Sequence, residues 1–192
     1  PWTGNGNGNE PALSGTAVGC GSVQPSRTRR SEIAPPAYQL AAAQAQVPAN
    51  LLYAVALQES GRIRNGRTVP WPWTLNVAGQ TRSYTTRLKA CADLRRVLRV
   101  TPAARVDVGL GQLNVGYQQQ RVRQPCQLLE PYRNLRLAAT ILREQYNPDQ
   151  SWLMAAGRYH RPAGGAAAAR YRQRISQHLT RLEIASTRRS TP

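Results

Sequence analysis

The sequence has few acidic residues and almost no lysine. Of its 192 residues, nine are aspartate or glutamate and 26 are lysine or arginine, which gives a formal net charge of +17. Every basic residue except Lys89 is an arginine. Such a balance favours anionic partners, namely nucleic acid, anionic lipid head groups or a wall polymer that carries carboxylates. Arginine bias in a GC-rich genome would produce the same balance, so the charge alone identifies no partner.

Long apolar runs are also missing. No segment approaches the roughly 18 apolar residues that a membrane-spanning helix needs. The length and the hydrophobic content of 41% suit one compact domain with a polar extension. Because the chain starts at Pro1 rather than at methionine, we expect a processed N-terminus from which any signal peptide has been removed.

Cysteine and histidine are too few for a zinc site. The three cysteines, Cys20, Cys91 and Cys126, form no CxxC pair, and only His160 and His178 could complete a ligand set. We therefore expect no metal. Cys91 and Cys126 lie in the regularly patterned part of the chain, which favours a disulfide between them and hence an oxidising compartment. Two buried free thiols are the alternative.

The first 30 residues have the composition of a flexible or disordered extension. Asparagine alternates with glycine over residues 4–9, and a basic, turn-rich stretch follows at residues 27–30. Cys20 lies after Ala17-Val18-Gly19, which weakly resembles a bacterial lipid-attachment box. Alanine, however, occupies the place where leucine is usual. A lipid anchor at Cys20 is therefore the less favoured interpretation.

Residues 31–187 have the pattern of a mainly α domain with few or no strands. Apolar residues recur at helical spacing, and glycine, proline, serine and asparagine mark the ends. We expect Asn134 and Ser151 to cap helices, a loop at residues 61–84, and a turn or short extended segment at residues 101–114. The predicted helices cover residues 36–46, 48–60, 86–100, 134–146, a segment from 152, and about 166–183.

Glu59 is the most informative acidic residue. It follows Leu52 by seven positions and Val55 by four, so it lies on the apolar stripe of the helix predicted for residues 48–60. Burial disfavours the charged form of a carboxyl group, and a protonated carboxyl can donate to a leaving oxygen near neutral pH. The alternative is a last helical turn that has already emerged into solvent. The pattern alone leaves both open.

Four segments, in order, resemble the motifs of the SLT family of lytic transglycosylases, relatives of goose-type lysozyme. They lie within residues 47–182, and their order makes the match specific, whereas Glu-Ser alone would carry no information. The segments are Gln58-Glu59-Ser60-Gly61, Gly109-Leu110-Gly111-Gln112-Leu113-Asn114, Leu129-Glu130-Pro131-Tyr132-Arg133-Asn134-Leu135 and Ala156-Gly157-Arg158-Tyr159-His160.

The resemblance implies a lysozyme-like α-helical fold with a substrate cleft. It also implies cleavage of the β-1,4 bond between N-acetylmuramic acid and N-acetylglucosamine in peptidoglycan, without a cofactor. In this family the substrate's own acetamido group and 6-hydroxyl act as nucleophiles and give a 1,6-anhydro product. One glutamic acid then serves as both acid and base, which would be Glu59. Asp107 is the one other acidic residue close to a motif, and we interpret it as structural.

Two further residues match family positions next to the acid. Ser60 matches the serine that helps to place the substrate's N-acetyl group. Its alternative role is a hydroxyl that satisfies a free carbonyl at the helix end. Tyr159 matches the tyrosine whose hydroxyl orients or tunes the catalytic carboxyl, with an aromatic core residue as the alternative.

Substrate contacts are also implied for residues of the second and fourth motifs. Gln112 matches the glutamine that lines the sugar site, where an amide can both donate and accept. Gly109 and Gly111 fit close approach of the backbone to a sugar chain, and Asn114 belongs to the same motif. His160 departs from the family pattern, which has asparagine there, so its contact is the least secure.

The segment Pro70-Trp71-Pro72-Trp73-Thr74-Leu75-Asn76-Val77 resembles a subgroup associated with conjugative plasmids and integrating elements. This narrower resemblance implies conjugation or type IV secretion components as partners, with the enzyme opening the wall for them. Trp71 and Trp73 could stack on sugar faces or fill a loop, and we leave them outside the catalytic set.

Two other functions stay open. A basic, non-catalytic protein could bind nucleic acid or wall polymer, although the arginines are spread along the chain and no known nucleic-acid motif is present, which disfavours nucleic acid. A muramidase would hydrolyse the same bond with water. For all three functions we expect a periplasmic location, with membrane association if Cys20 is acylated.

Overall fold

The computed structural model describes residues 33–187. The extension predicted for residues 1–30, and Cys20 with it, lies outside the described residues, so the lipid anchor stays a prediction. Within residues 33–187 no single helix is long and apolar enough to cross a membrane. The first two helices pass that test only as a pair, and they are bent by 116° relative to each other.

The fold is a mixture of helix and strand, so the prediction of few or no strands was wrong. The described residues are 60% helical and 14% strand. The α-helices are α1 (Pro36–Ala45), α2 (Ala49–Ser60), α3 (Arg87–Val97), α4 (Val115–Gln118), α5 (Pro131–Glu144), α6 (Trp152–His160) and α7 (Gly165–Thr187). The strands are β1 (Gly61–Arg64), β2 (Arg67–Pro70), β3 (Thr74–Val77), β4 (Gln80–Ser83), β5 (Val106–Val108) and β6 (Leu113–Asn114). Three short 3-10 helices cover Ala103–Arg105, Gln119–Arg121 and Pro125–Leu129.

The strands form two small antiparallel sheets. One is the β1–β2 hairpin, and the other has the order β4-β3-β5-β6. Two tight turns explain why residues 61–84 are not the predicted loop. Asn65 and Gly66 both have positive φ, at 50° and 73°, as do Ala78 and Gly79, at 52° and 90°. Two central residues of this kind match the right-handed twist of the strands on either side and make two-residue hairpins.

Helix α2 is the centre of the core. It packs against α1, α5 and α7, and it also contacts the β1–β2 hairpin. Its residues from Leu51 to Leu57 are all buried. Pro48 is the N-cap, and Gly61 directly follows the last turn. A glycine is needed there because a Cβ would collide with the carbonyl oxygen of Leu57. The helix therefore runs from the middle of the core to its edge, and Glu59 lies in the last turn, at that edge.

Helix α5 starts earlier than predicted. Proline at position 131 suits a first helical turn, since its fixed φ is already helical and its missing N–H is not needed there. Asn134, predicted to be the cap, lies one turn inside the helix and is fully buried. That prediction was wrong, because the amide of Asn134 bonds to neighbouring loops instead.

Helix α3 is tied to the 3-10 helix at Pro125–Leu129 by a disulfide between Cys91 and Cys126. The side chain of Thr86 accepts a hydrogen bond from the Lys89 amide and caps the helix. The buried face of α3 consists of Ala90, Leu94 and Val97. Leu88, which has the helical spacing of an apolar stripe with Cys91 and Leu94, is nevertheless 80% exposed.

Candidate active site

Glu59 lies at the last turn of α2 with little access to solvent. Its side chain is 16% exposed, while Val55, one turn earlier, is fully buried. The backbone passes directly from Ser60 into strand β1, so the helix end is fixed by the hairpin that follows it. A carboxyl group in this position is held at the boundary between core and solvent, where a substrate oxygen could reach it.

His160 and Tyr171 form one wall beside this carboxyl. His160 is the last residue of α6, and its Nδ1 lies 3.8 Å from Oε1 of Glu59. The imidazole stacks on the ring of Tyr171 with centroids 4.4 Å apart and planes 5° from parallel. The stack orients the imidazole, so that its Nδ1 faces Glu59 while the residue as a whole stays exposed.

Tyr171, in α7, has a buried hydroxyl that makes no well-formed hydrogen bond within the described part of the chain. Burial is the main reason that the pKa of Tyr171 lies well above its usual range, and the nearby Glu59 carboxylate raises it further. The hydroxyl therefore stays protonated and interacts with the Glu59 side chain, although not with the geometry of a well-formed hydrogen bond. A buried donor in this state is available to the carboxylate or to a bound substrate.

Asp107 is a second acidic group near Glu59. It lies on β5, opposite Asn76 of β3 and Asn114 of β6. The amide Nδ2 of Asn114 donates to Oδ1 of Asp107 at 2.9 Å. Burial raises the pKa of Asp107, the hydrogen bond from Asn114 lowers it, and the charge of Glu59 raises it again, with a net upward shift. Asp107 thus interacts electrostatically with Glu59, which the sequence analysis treated as the single acid of the site.

The turn from Gly109 to Gln112 is held in place by Asn134. The Asn134 amide donates to the carbonyls of Val108 and Leu128 at 2.9 and 2.8 Å, and its Oδ1 accepts from the Gly111 amide at 2.8 Å. A Cβ at Gly109, which has a φ of +83°, would collide with that amide. In this structure the glycine allows close approach by Asn134.

Ser60 and Tyr159 bond to the same turn from the opposite side. The Ser60 hydroxyl lies 2.8 Å from the Leu110 carbonyl and 3.0 Å from the Ala56 carbonyl, so its one proton can go to either. The Tyr159 hydroxyl donates to the Gly111 carbonyl at 2.7 Å. Burial, followed by the charges of Glu59 and Asp107, raises the pKa of Tyr159 well above its usual range. These residues brace the turn beside Glu59, and their predicted substrate contacts stay predictions.

Gln112 and Asn114 also bond within the protein. Gln112, at a φ of +47°, donates from Nε2 to the carbonyls of Gly109 and Thr74 at 2.9 and 3.2 Å. Asn114 caps α4 by accepting from the Tyr117 amide, in addition to its bond to Asp107. Both side chains thus maintain the shape of the site, whatever sugar contacts they also make.

The tryptophan-rich segment joins the end of α2 to this turn. The Trp71 amide donates to the Ser60 carbonyl at 2.9 Å, and the Gly109 amide donates to the Thr74 carbonyl at 2.8 Å. The Trp71 indole donates to the Tyr84 carbonyl at 2.7 Å and meets the Trp73 ring edge to face. These contacts make the segment a structural bridge next to Glu59, a role that the sequence did not reveal.

Tyr171 and Asp107 are the site residues that sequence reasoning missed or undervalued. Tyr171 has the helical spacing of a buried position and is buried, but helical spacing says nothing about what its hydroxyl contacts. Asp107 lay near a motif but had no visible partner. In residues 33–187 no group of three or more histidine, cysteine, aspartate or glutamate side chains could hold a metal ion. The chemistry that this arrangement supports is proton transfer at Glu59.

Comparisons with protein-family models, with curated proteins and with solved structures found no match to this chain.

Proposed function

We propose that this chain cleaves the glycan strands of bacterial peptidoglycan as a lytic transglycosylase, with Glu59 as its acid and base. The observation that carries the proposal is the Glu59 carboxyl, 16% exposed at the end of a buried helix. His160 lies 3.8 Å from it, and the charge of this carboxyl acts on the pKa values of Tyr159, Tyr171 and Asp107, although these residues come from three separate parts of the chain. General acids in glycoside cleavage occupy partly buried positions of this kind.

In the proposed reaction one carboxyl transfers a proton twice. Protonated Glu59 donates to the oxygen that leaves as the bond between muramic acid and glucosamine breaks, and the substrate's acetamido oxygen attacks the anomeric carbon. The 6-hydroxyl then displaces the acetamido oxygen while the Glu59 carboxylate takes its proton. The enzyme ends in its starting state, no water is consumed, and the product carries a 1,6-anhydro ring. This sequence of steps is what the family resemblance implies.

The surrounding residues suit both halves of this cycle. A high pKa keeps the hydroxyl of Tyr171 protonated, so it can donate to the Glu59 carboxylate formed after the first step. The Nδ1 atom of His160 lies 3.8 Å from the same carboxyl and can help to hold it in place. We propose both as positioning residues, because both act through Glu59 rather than on the substrate.

The test is digestion of purified sacculi with wild-type protein and with Glu59→Gln. Glutamine keeps the size and polarity of the side chain but cannot transfer the proton, so we expect cleavage to fall at least about 100-fold, the usual lower range for general acid–base catalysis. Glu144→Gln, an exposed acid paired with Arg121, serves as the matched control and should cleave normally. Undiminished cleavage by a folded Glu59→Gln would refute the assignment.

A muramidase is the second candidate, and Asp107 is the observation that favours it. Hydrolysis with two carboxylates needs a second acidic group to activate water, and Asp107 is electrostatically coupled to Glu59. The products of the same digestion separate the two reactions. Anhydro ends indicate a transglycosylase, reducing ends indicate a hydrolase, and intact strands indicate a non-catalytic binder.

We propose a periplasmic location, since the Cys91–Cys126 disulfide suits an oxidising compartment and peptidoglycan lies in the same place. Conjugation or type IV secretion components are proposed as partners on the resemblance of residues 70–77 alone.

A further inference from the structure

An exposed hairpin carries three arginines directly after the helix that holds Glu59. Arg62 and Arg64 lie on β1, and Arg67 is the first residue of β2. All three are exposed, and the ion pairs among residues 33–187 include none of them. The hairpin therefore presents positive charge without compensation from the described part of the chain. We call residues 61–70 the arginine hairpin.

The arginines are held close together. Arg62 and Arg64 are two positions apart on β1, so their side chains leave the same face of the strand. Their guanidinium carbons lie 4.6 and 5.4 Å from the centre of the Trp71 ring. Arg64 is paired directly with Arg67 across the hairpin. Like charges in facing positions destabilise a hairpin, and an anion between them would remove that cost.

Trp71 gives this cluster a rigid base. Its amide is bonded to the Ser60 carbonyl and its indole to the Tyr84 carbonyl. The ring that Arg62 and Arg64 cover is therefore fixed relative to the end of α2. Guanidinium groups ordered in this way lose less freedom when they bind a carboxylate, and their planar donor sets match carboxylate geometry.

The position of the arginine hairpin next to Glu59 indicates which anion it could bind. Only Ser60 lies between Glu59 and the first residue of the hairpin, and a four-residue strand extends roughly 13 Å. A group bound by the arginines would therefore lie about one strand length from the bond at Glu59, a distance that a single substrate molecule can span. In peptidoglycan the anionic groups closest to the glycan chain are the carboxylates of the peptide stems attached to muramic acid.

We propose that the arginine hairpin binds the stem-peptide carboxylates of the strand that is cut at Glu59. The proposal rests on the function proposed above, and it adds a preference for glycan that carries peptides. A protein that recognised sugar alone would cleave peptide-free strands equally well.

The experiment compares two substrates: peptide-bearing glycan strands, and the same strands after an amidase has removed the stems. Arg62→Gln, Arg64→Gln and Arg67→Gln are combined in one variant. The control combines Arg170→Gln, Arg174→Gln and Arg181→Gln, exposed positions of α7, and changes the net charge by the same amount. Circular dichroism and melting temperatures check that both variants fold.

We expect the hairpin variant to lose roughly fivefold to tenfold in kcat/KM on peptide-bearing strands, as suits a few exposed charge-assisted contacts. It should match wild type on peptide-free strands, and the α7 control should match wild type on both. Equal loss on both substrates, or no loss, would overturn the proposal while leaving the proposed function intact. The proposal would also be overturned if the hairpin variant lost binding to duplex DNA or to phosphatidylglycerol vesicles but cleaved peptide-bearing strands as well as wild type does.

If wild-type protein cut neither substrate, the proposed function would fail, and the inference about the hairpin would fail with it.

Discussion

The Tyr171 hydroxyl has a structural cost that a purely structural role does not explain. The hydroxyl is buried and makes no well-formed hydrogen bond, although it interacts with Glu59. A buried donor left wholly without a partner destabilises a fold by about 1–3 kcal/mol, which is an upper bound here, and phenylalanine would fill the same space without that cost. The ring alone already stacks on His160. The hydroxyl interacts with the Glu59 carboxylate, which raises the pKa of Tyr171. The hydroxyl is therefore expected to serve the reaction.

We predict that Tyr171→Phe lowers kcat severalfold while the melting temperature stays the same or rises. The ring stack is kept, so the position of His160 should not change. Steady-state kinetics on soluble glycan strands, together with a thermal melt, measure both effects. Tyr38→Phe is the matched control, since Tyr38 is also buried but its pKa is raised by burial and by Tyr53, not by Glu59. A loss of stability with unchanged kcat would show that the Tyr171 hydroxyl is structural.

At the scale of structural elements, the turn from Gly109 to Gln112 depends on α5 more than on its own residues. Asn134 is fully buried one turn into α5, where it binds backbone groups on both sides of the turn. Ser60 from α2 and Tyr159 from α6 bind the turn's carbonyls. Three helices thus fix the loop that lies next to Glu59.

We predict that Asn134→Ala destabilises the fold by about 4 kcal/mol. The change removes three hydrogen bonds from backbone groups around a fully buried side chain, and each group left without another partner costs about 1–3 kcal/mol before relaxation. Urea denaturation measures the effect. Asn147→Ala is the control, because Asn147 is exposed and accepts one bond from the Asp149 amide, and it should cost less than about 1 kcal/mol. Similar losses for both variants would contradict this role for Asn134.

The long helices could be predicted from the sequence because their apolar residues recur at helical spacing between recognisable ends. The pattern placed Glu59 on the apolar stripe of α2 but left its exposure open, and the structure shows that its side chain is 16% exposed. The hairpins were missed because their strands are four residues long and β1 is exposed at every position, so no alternation marks them. Asn65-Gly66 is nevertheless a strong hairpin signal. The partners of Glu59 could not be predicted, since periodicity assigns a face to Tyr171 and Asp107 but not the neighbour across the fold.

At the scale of the whole molecule, positive charge is in excess even where acids are present. Asp93 contacts both Arg82 and Arg96, while Glu130 contacts Arg87 and Arg133. Acidic residues that are already shared between two arginines cannot neutralise the rest of the surface. A net charge of +17 should therefore attract the protein to anionic polymers. The range of this attraction is set by the salt concentration.

We predict that binding to sacculi weakens at least about tenfold between 50 and 300 mM salt, whereas kcat at saturating substrate changes little. Charge steers the association, and salt shortens its range from about 14 to about 6 Å over this interval. Co-sedimentation of Glu59→Gln with sacculi measures binding without cleavage, and wild-type turnover at each salt concentration gives kcat. Because Glu59 is only slightly exposed, the Glu59→Gln substitution should leave the salt dependence of binding unchanged. A different set of results would instead identify a nucleic-acid-binding protein. In that case binding to sacculi would not depend on salt, duplex DNA would bind tightly and in a salt-sensitive way, and no glycan would be cleaved.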